Sequence, residues 1–390
     1  KGSTANNIVL ANGKVGNLDF LVSEIAVFKD QNPACPDDAR YKLTTLGLNR
    51  KVPDLQRGLL MFKSADGLRW TPMSDKQVIT NARLDCQNVA FWDATRGEYR
   101  AYYRYVTLTA EEVDRSDGNL LGRGIKTATS KDFLNWSEGV PLEYPGRPPV
   151  QLYSNQIQPY YRAPHLFVGF PMRYLQRDGS DSLRALPDPE NRKVRAGDVA
   201  RYGSALTDTL LMTSRDGLSF QRWEEAFLRP GIERPGTWNY AQQCMAWQLV
   251  ETRSALEGAP NELSLYAVED FWTGKGSALR RYTLRLDGFV SVNAPMSGGE
   301  LVTKPLTFRG SKLALNFSTS AAGDVQVELQ DGAGKALPGF ALEDCQTVFG
   351  DSVERTVTWK NGGDVSAVAG KPVRLRFVLK DADLYALRFN

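Results

Sequence analysis

A short phrase that occurs three times limits the folds open to this chain more than any other feature. It reads SADGLRW at residues 64–70, TSKDFLNW at 129–136 and TSRDGLSF at 213–220. Each copy follows an apolar run, contains an Asp-Gly-type turn signal and closes in an aromatic residue. This pattern predicts a strand, a tight turn and a returning strand. A degenerate fourth copy, RYTLRLDGFVSV, lies at residues 281–292.

Repetition at a long interval predicts structural units that must stack against copies of themselves. The interval exceeds the about 40–50 residues of an ordinary propeller blade, so loops must be inserted. Long loops on one face of a β-propeller carry its binding site. Counting the units, with a fifth built from the N-terminal strands, predicts a five-bladed propeller over residues 1–295.

The composition supports an all-β chain. Aromatic residues make up 10% of the sequence, which also holds 34 Gly and 20 Pro, a mixture typical of short strands separated by turns. From residue 296 onward the repeated phrase is absent, and strands such as KLALNFSTS and VRLRFVLKD alternate with Gly, Asp and Asn turns. We therefore predict a β-sandwich over residues 296–390.

The charge and the termini exclude some classes of function. The net charge of +3 is spread without a basic block, so nucleic acid is not an expected partner. No apolar run reaches the about 18 residues of a membrane span. The N-terminus lacks the apolar core of a signal peptide, as in a cytosolic or a trimmed chain; we expect a secreted or periplasmic protein whose signal peptide has been removed. The sequence leaves the oligomeric state open.

The cysteines do not indicate a metal site. Four cysteines lie far apart and form no CxxC pair, which argues against zinc. Free thiols and one or two long-range disulfides both remain open. No motif indicates a cofactor, although a single structural Ca²⁺ at the propeller axis stays an option whose oxygen ligands the sequence does not locate.

One segment resembles a known group of enzymes. FKDQNP at residues 28–33 is similar to the first-blade segment, Asp followed by Asn-Pro, of the five-bladed glycoside hydrolases of families 32 and 43 and their relatives. The S-x-D-G-x-x-W phrases and the C-terminal sandwich are similar to that superfamily too. The resemblance implies a glycosidase that acts on an oligosaccharide or polysaccharide, with carboxylates from different blades converging at the propeller axis.

Three acidic residues are the catalytic candidates, because glycoside hydrolysis needs one carboxyl acid and one carboxylate. The resemblance implies that Asp30 is the general base and that Asp85 is an orienting Asp; each can also be a simple cap of a turn or strand. Glu269 stands in the aromatic context LSLYAVEDFW. Burial there is expected to raise its pKa and suit a general acid, and a rim carboxylate that binds sugar hydroxyls is the alternative.

Further side chains of the kinds that bind sugars lie in the third and fourth units. They are Asn155, Gln158, Arg162, His165, Asp208, Trp238, Tyr240 and Trp272. Of these, Trp238, Tyr240 and Trp272 are predicted to be aromatic platforms on which sugar rings stack. Arg162 suits a clamp on a carboxylate or sulfate or an ion pair between blades, and His165 suits an acid, a pore ligand or a structural role. The Asp residues of the repeated phrases are predicted to form turns.

The leading hypothesis is an exo-acting glycosidase that removes one sugar at a time. Inversion and retention are not distinguished, since the distance between carboxylates decides this. The alternative is a non-catalytic carbohydrate-binding propeller, because the inner strand of the third unit has no acid. A sialidase-like or lyase enzyme is a third interpretation. The arginine-rich segment at residues 175–203 fits polyanionic or anhydro-sugar glycans.

Overall fold

The structure is a computed structural model that describes residues 7–51, 56–80, 82–107, 122–177, 179–274 and 276–390. Strands dominate, and the predicted all-β class, a propeller and then a sandwich in chain order, is confirmed. The chain divides into two compact units. The first unit comprises Lys1–Gln248 with Tyr266–Arg281, and the second comprises Leu249–Leu265 with Tyr282–Asn390. The domain boundary at residue 295 stays a prediction.

Two antiparallel sheets open the first unit. The strands of the first sheet, in spatial order, are β1 (Gly13–Val15), β2 (Leu18–Lys29), β3 (Tyr41–Asn49), β4 (Gln56–Ser64) and β5 (Thr71–Pro72). Those of the second are β6 (Val89–Asp93), β7 (Glu98–Val106), β8 (Arg123–Ser130) and β9 (Val140–Pro141). Phe28 and Leu59 of the first sheet share one apolar core with Phe91 and Tyr102 of the second. Because both faces of these strands are covered, their sequences alternate only loosely.

One long hairpin belongs to two sheets. The strands of this region are β10 (Gln151–Leu152), β11 (Gln158–Tyr160), β12 (Ala163–Gly169), β13 (Met172–Gln176), β14 (Ala205–Thr209), β15 (Met212–Ser214) and β16 (Gln221–Arg222). Gly169 pairs with Met212 and Met172 pairs with Thr209, so β12–β13 and β14–β15 keep one register. Pro171, which has no N–H to donate, lies at the break between the sheets β11-β12-β15-β16 and β10-β13-β14.

The polar insertion between β13 and β14 is helical. It contains α1 (Asp181–Ala185), α2 (Pro189–Asp198) and α3 (Arg201–Ser204). The Ser180 hydroxyl accepts the backbone N–H of Leu183 and caps α1, and Pro189 occupies the first turn of α2, where its missing N–H costs nothing. The sequence analysis placed no helix here, because these segments lack an apolar stripe.

A three-stranded sheet follows, with the order β17 (Val250–Thr252), β18 (Glu262–Glu269) and β19 (Ala278–Arg285). Among the described residues up to Arg285 there are thus five sheets, two of which share the long hairpin. The count of five blades stays a prediction.

The second unit contains the predicted β-sandwich. Its strands are β20 (Val292–Ala294), β21 (Gly299–Val302), β22 (Leu313–Gln330), β23 (Asp351–Thr356) and β24 (Arg374–Phe389). The two longest strands, β22 and β24, pair along their length, but residues 320–323 of β22 face only Asp381. The bulge bends both strands, so that a single sheet folds over a core containing Phe317, Trp359 and Phe377.

The three repeated phrases form the same turn, and the predicted role of their Asp residues is confirmed. In each copy one carboxylate oxygen accepts the backbone N–H groups two and three residues further on, at 2.7–2.9 Å. The acceptors are Asp66, Asp132 and Asp216. Backbone hydrogen bonds from Arg69 and Leu68 lower the pKa of Asp66 to about 2. The residue after each Asp is left-handed, which suits Gly67 and Gly217 and is unusual for Phe133 (φ 69°).

We expect Asp216→Ala to lower the free energy of unfolding by about 1 kcal/mol, because two backbone N–H groups lose their acceptor. Urea unfolding of the variant beside wild type measures the difference. Asp75→Ala, a substitution of an exposed aspartate outside the turns, is the matched control. An equal effect of the two substitutions would contradict the turn-forming role.

Candidate active site

Side-chain hydrogen bonds from glutamines connect the inner segments of the first unit. Gln87, Gln156 and Gln248 each donate through Nε2 to a backbone carbonyl oxygen of another inner segment. Gln87 donates to the carbonyl oxygen of Ile25 at 2.7 Å, Gln156 to that of Met245 at 2.7 Å, and Gln248 to that of Val27 at 3.1 Å. Gln156 also donates to the side-chain oxygen of Gln87. These contacts, which we call the glutamine belt, close a ring that starts and ends on β2.

Glu24 lies on a bulge of β2, directly before the belt residue Ile25. Leu21 pairs with Leu46 and Ala26 pairs with Thr44, so residues 22–25 face only Thr45. A bulge of this kind redirects side chains and is common beside active sites. Glu24 is not among the candidates predicted from the sequence, although a glutamate within the apolar run LVSEIAVF could have indicated a functional carboxyl.

Glu24 has the pKa of a group that exchanges protons near neutral pH. Burial raises the pKa of its carboxyl to about 7, against the opposing effect of the positive charges of Arg104 and Arg57. Its Oε2 is buried and has no hydrogen-bond partner among the described residues. A carboxyl that is partly protonated at neutral pH can serve as a general acid or base.

Asp85 is the second carboxyl of this site, and its predicted orienting role stays a prediction. One of its oxygens contacts Arg104, and the other lies 3.5 Å from Nη1 of Arg57. The side chain is 43% exposed. The same two arginines therefore act on a paired, solvent-accessible carboxylate and on the half-buried Glu24. Two carboxyl groups in such different environments can divide the acid and base roles.

An aromatic cluster adjoins the carboxyls, and Tyr240 is at its centre. The Tyr240 ring lies 5.1 Å from Tyr202, with which it stacks, 6.0 Å from Tyr174 and 6.1 Å from Tyr153. Trp272, 6.3 Å from Tyr240, is 46% exposed. The structure thus brings together two of the three predicted aromatic platforms. A flat, partly exposed ring such as that of Trp272 can stack on the C–H face of a sugar, whereas Tyr240, which is 6% exposed, packs beneath it.

Arginines join the aromatic cluster to the carboxyls. The guanidinium of Arg104 lies 4.8 Å from the ring of Tyr153, whose hydroxyl donates to the backbone oxygen of Asp85 at 3.4 Å. Arg123 lies 4.2 Å from the ring of Tyr174. Arg195, from helix α2, lies 5.4 Å from the ring of Trp272. The region is therefore a single site of mixed aromatic and cationic character.

Asp30 lies in a buried polar cluster of its own. Its side chain is 0% exposed and forms an ion pair with the equally buried Lys42. The Tyr99 hydroxyl donates to Oδ2 at 2.6 Å, and the backbone N–H of Asn32 donates to Oδ1 at 2.9 Å. Both carboxylate oxygens are thus engaged by protein groups. The role of general base stays a prediction for Asp30.

Glu269 is held by two arginines. Arg234 Nη2 lies 2.5 Å and Arg280 Nε 2.7 Å from its two oxygens. Burial alone would raise the pKa of this carboxyl, but the hydrogen bonds from Arg280 and Arg234 outweigh it and lower the pKa. The predicted rise in the pKa of Glu269 is therefore wrong, because the sequence did not show these partners. Its catalytic role stays a prediction.

Three of the predicted binding residues have structural contacts. The Asn155 side chain donates to the Tyr102 carbonyl at 3.2 Å, Asp208 forms a two-oxygen pair with Arg173, and Trp238 Nε1 donates to the Gly231 carbonyl at 2.8 Å. Within the described ranges, none of these contacts reaches Glu24 or Asp85.

The remaining three predicted binding residues belong to the β11–β12 hairpin. Gln158 lies in β11, Arg162 lies in the turn, and His165 is an exposed residue of β12. For all six of these residues, sugar binding stays a prediction.

The described part of the chain contains no group of three or more His, Cys, Asp or Glu side chains arranged to hold a metal ion. The four cysteines are free thiols. Within the same residues, no helix has the length and apolar character that crossing a membrane requires.

No protein-family model and no curated protein matches this chain. Solved structures similar to it include an N-acetylgalactosamine deacetylase from F. plautii in complex with blood group B trisaccharide, at 12% identity over 65% of this chain and 63% of that chain, with a TM-score of 0.42. The chain thus spans less than two thirds of that deacetylase.

Two glycoside hydrolases are also similar. A GH32 beta-fructofuranosidase from Bombyx mori matches at 10% identity over 91% of this chain and 78% of its own, with a TM-score of 0.37. An alpha-L-arabinofuranosidase from Fusarium graminearum matches at 10% identity over 68% and 66%, with a TM-score of 0.38. Because all these TM-scores are below 0.5, the site's own geometry has to support any functional conclusion.

We expect the pKa of Glu24 to make stability depend on pH. The folded state keeps a proton up to about pH 7, whereas the ordinary value is 4.5, so the folded state binds more protons between these values. The free energy of unfolding of wild type should therefore fall relative to Glu24→Gln as the pH rises through this window, by up to about 3 kcal/mol. Denaturant unfolding at several pH values measures it; a constant difference would contradict the raised pKa.

We expect Asp30→Asn to lower the free energy of unfolding by about 3 kcal/mol, because Lys42 is left as a buried charge without its counter-ion. The double variant Asp30→Asn with Lys42→Met should recover part of this loss. Thermal or urea unfolding measures both variants. An unchanged stability with a hundredfold loss of activity would instead support the general-base role.

Proposed function

We propose that the first unit is a glycoside hydrolase in which Glu24 and Asp85 carry the acid–base chemistry. The observation that supports this most directly is that two arginines act on both carboxyls, of which one is half-buried with a pKa of about 7 and the other is paired and accessible. The exposed ring of Trp272, which packs on the buried ring of Tyr240, provides the adjoining platform for a sugar.

The proposed reaction follows from these environments. Protonated Glu24 donates its proton to the glycosidic oxygen as the bond from that oxygen to the anomeric carbon breaks. Asp85, as a carboxylate, either takes the proton of the water that attacks the anomeric carbon or attacks that carbon first and is released by water. In either case the products carry a free hydroxyl on each side of the broken bond. When Asp85 is the base, it releases its proton to solvent and Glu24 takes one up from solvent; when Asp85 is the nucleophile, Glu24 recovers its proton from the water that releases Asp85.

The helical insertion supports an exo-acting enzyme. Arg195 of α2 donates to the Trp272 carbonyl at 3.1 Å, and Tyr202 of α3 stacks on Tyr240. The insertion therefore covers one side of the aromatic cluster. A site closed on one side accepts the end of a glycan more readily than its middle, so we propose that one sugar is released from a chain end.

The environments of Asp30 and Glu269 favour one alternative function, a carbohydrate-binding propeller without catalysis. Both residues are buried as well as ion-paired, whereas the paired Asp85 is 43% exposed, so neither offers an accessible carboxylate. A carbohydrate-binding propeller without catalysis would show the same aromatic and cationic site. It differs from the hydrolase in needing no proton donor at Glu24.

A panel of plant and algal oligosaccharides tests the proposal through release of single sugars. We expect Glu24→Gln and Asp85→Asn each to lower the rate by about 10²–10⁴-fold, the usual contribution of a positioned acid or base. Glu224→Gln, which alters an exposed carboxyl paired with Arg147, is the matched control and should retain full activity.

Two results would contradict the hydrolase. Binding of oligosaccharides with no sugar release by wild type would favour the binding protein. If sugar release survives both substitutions, the protein is a hydrolase whose acid–base residues are other carboxyls. Asp30→Asn and Glu269→Gln would then be assayed in the same panel.

A further inference from the structure

Three buried arginines at the aromatic cluster have no carboxylate in ion-pair contact among the described residues. Arg123, Arg192 and Arg195 are 8%, 7% and 3% exposed. Their contacts are with neutral oxygens: Arg123 Nη1 donates to Gln151 Oε1 at 2.5 Å, and Arg192 and Arg195 donate to the carbonyls of Trp238 and Trp272. Burying a guanidinium without a counter-ion is costly.

Several N–H groups of these arginines are also without partners. Nε of Arg123, Nε and Nη1 of Arg192, and Nη1 of Arg195 are buried and have no hydrogen-bond acceptor in the described part of the chain. Asp188 is within electrostatic reach of Arg192 and Arg195. Its Oδ2, however, accepts the backbone N–H of Gly236 at 2.6 Å, so it does not satisfy these donors.

The positive charges gather around one ring. Arg104, Arg123 and Arg195 each interact electrostatically with Tyr240. The carboxylates nearby do not balance them: Asp85 and Asp188 face five arginines, namely Arg57, Arg104, Arg123, Arg192 and Arg195, and Glu24 retains a proton up to about pH 7. Counted over the described residues, the site therefore carries a net positive charge in a largely buried setting.

A buried arginine alone does not indicate a ligand. Arg222 is 1% exposed, lies 5.0 Å from the ring of Tyr144, donates to the Pro148 carbonyl and has a buried Nε without an acceptor among the described residues. It lies apart from the aromatic cluster and packs as a structural side chain. What distinguishes Arg123 and its neighbours is that several such groups surround the buried ring of Tyr240, which packs beside the exposed ring of Trp272 on which a sugar would stack.

We propose, building on the proposed hydrolase, that the glycan bound at this site carries an oxyanion and that Arg123 and Arg195 recognise it. The shared chemistry is a sugar bearing either a uronic acid carboxylate or a sulfate ester. A guanidinium presents paired N–H donors that match such a group, and these bonds are strong in a desolvated site. The anion would satisfy the unpartnered donors and offset the positive charge.

Binding to the Glu24→Gln variant tests this without turnover. Calorimetry compares a uronic acid oligosaccharide with its carboxyl-reduced form, and a sulfated oligosaccharide with its desulfated form. We expect one acidic member to bind at least about tenfold more tightly than its neutral counterpart, with the affinity falling as salt is added. The pair that shows the preference identifies the oxyanion.

Substitutions assign the preference to residues. In the same background, Arg123→Met should abolish most of the preference, and Arg222→Met, the matched buried arginine, should leave it intact. Arg195→Met provides a second variant on the helical insertion in case Arg123→Met does not fold, which circular dichroism reports. Equal affinity for acidic and neutral members, no binding of any acidic member, or a preference that survives both Arg123→Met and Arg195→Met would overturn the proposal.

The two proposals fail in different ways. If acidic glycans bind selectively but wild type releases no sugar, the hydrolase is wrong and the oxyanion site stands. If the product is an unsaturated sugar that absorbs ultraviolet light, the reaction is an elimination and the oxyanion site again stands. If sugar release occurs but neutral glycans bind as tightly as acidic ones, the hydrolase stands and the oxyanion site is wrong.

Discussion

The glutamine belt is the interaction on which the site depends. Strands at the inner edge of a propeller sheet leave carbonyl groups without a partner in the sheet, and buried backbone groups need one. Amide side chains supply it here, and each bond contributes about 0.5–1.5 kcal/mol. The site residues lie one to three positions before belt residues in the sequence: Glu24 directly before Ile25, Asp85 two residues before Gln87 and Tyr153 three residues before Gln156. Holding the belt together therefore also holds the site together.

Features fixed by nearby residues were predictable from the sequence. The turns at Asp66, Asp132 and Asp216 satisfy donors only two and three residues away, so their role was evident from the repeated phrase. The bulge that carries Glu24 depends on how β2 pairs with β3, and no local pattern encodes it. The same holds for the bend of β22 against β24, although the sandwich itself was predicted correctly.

Side chains whose partners are distant in the sequence were harder to interpret. Asp30 meets Tyr99, and Glu269 meets Arg234, so the environment of each carboxyl is set by another part of the chain. The helical insertion escaped prediction for a related reason. Its helices are held by buried arginines that donate to the carbonyls of other loops, not by an apolar face.

The hairpin shared by two sheets has a consequence for how the specificity of such a protein can diverge. The ladder of β13 and β14 ends at the pair Gln176 and Ala205, and the helical insertion extends from that end. The other end of the same ladder is anchored by Phe167 and Met212 in the propeller core. Replacing or shortening the insertion would leave the register of the core unchanged. Mutations can therefore replace the helical insertion, and with it one side of the site, while the carboxyls and the glutamine belt stay unchanged.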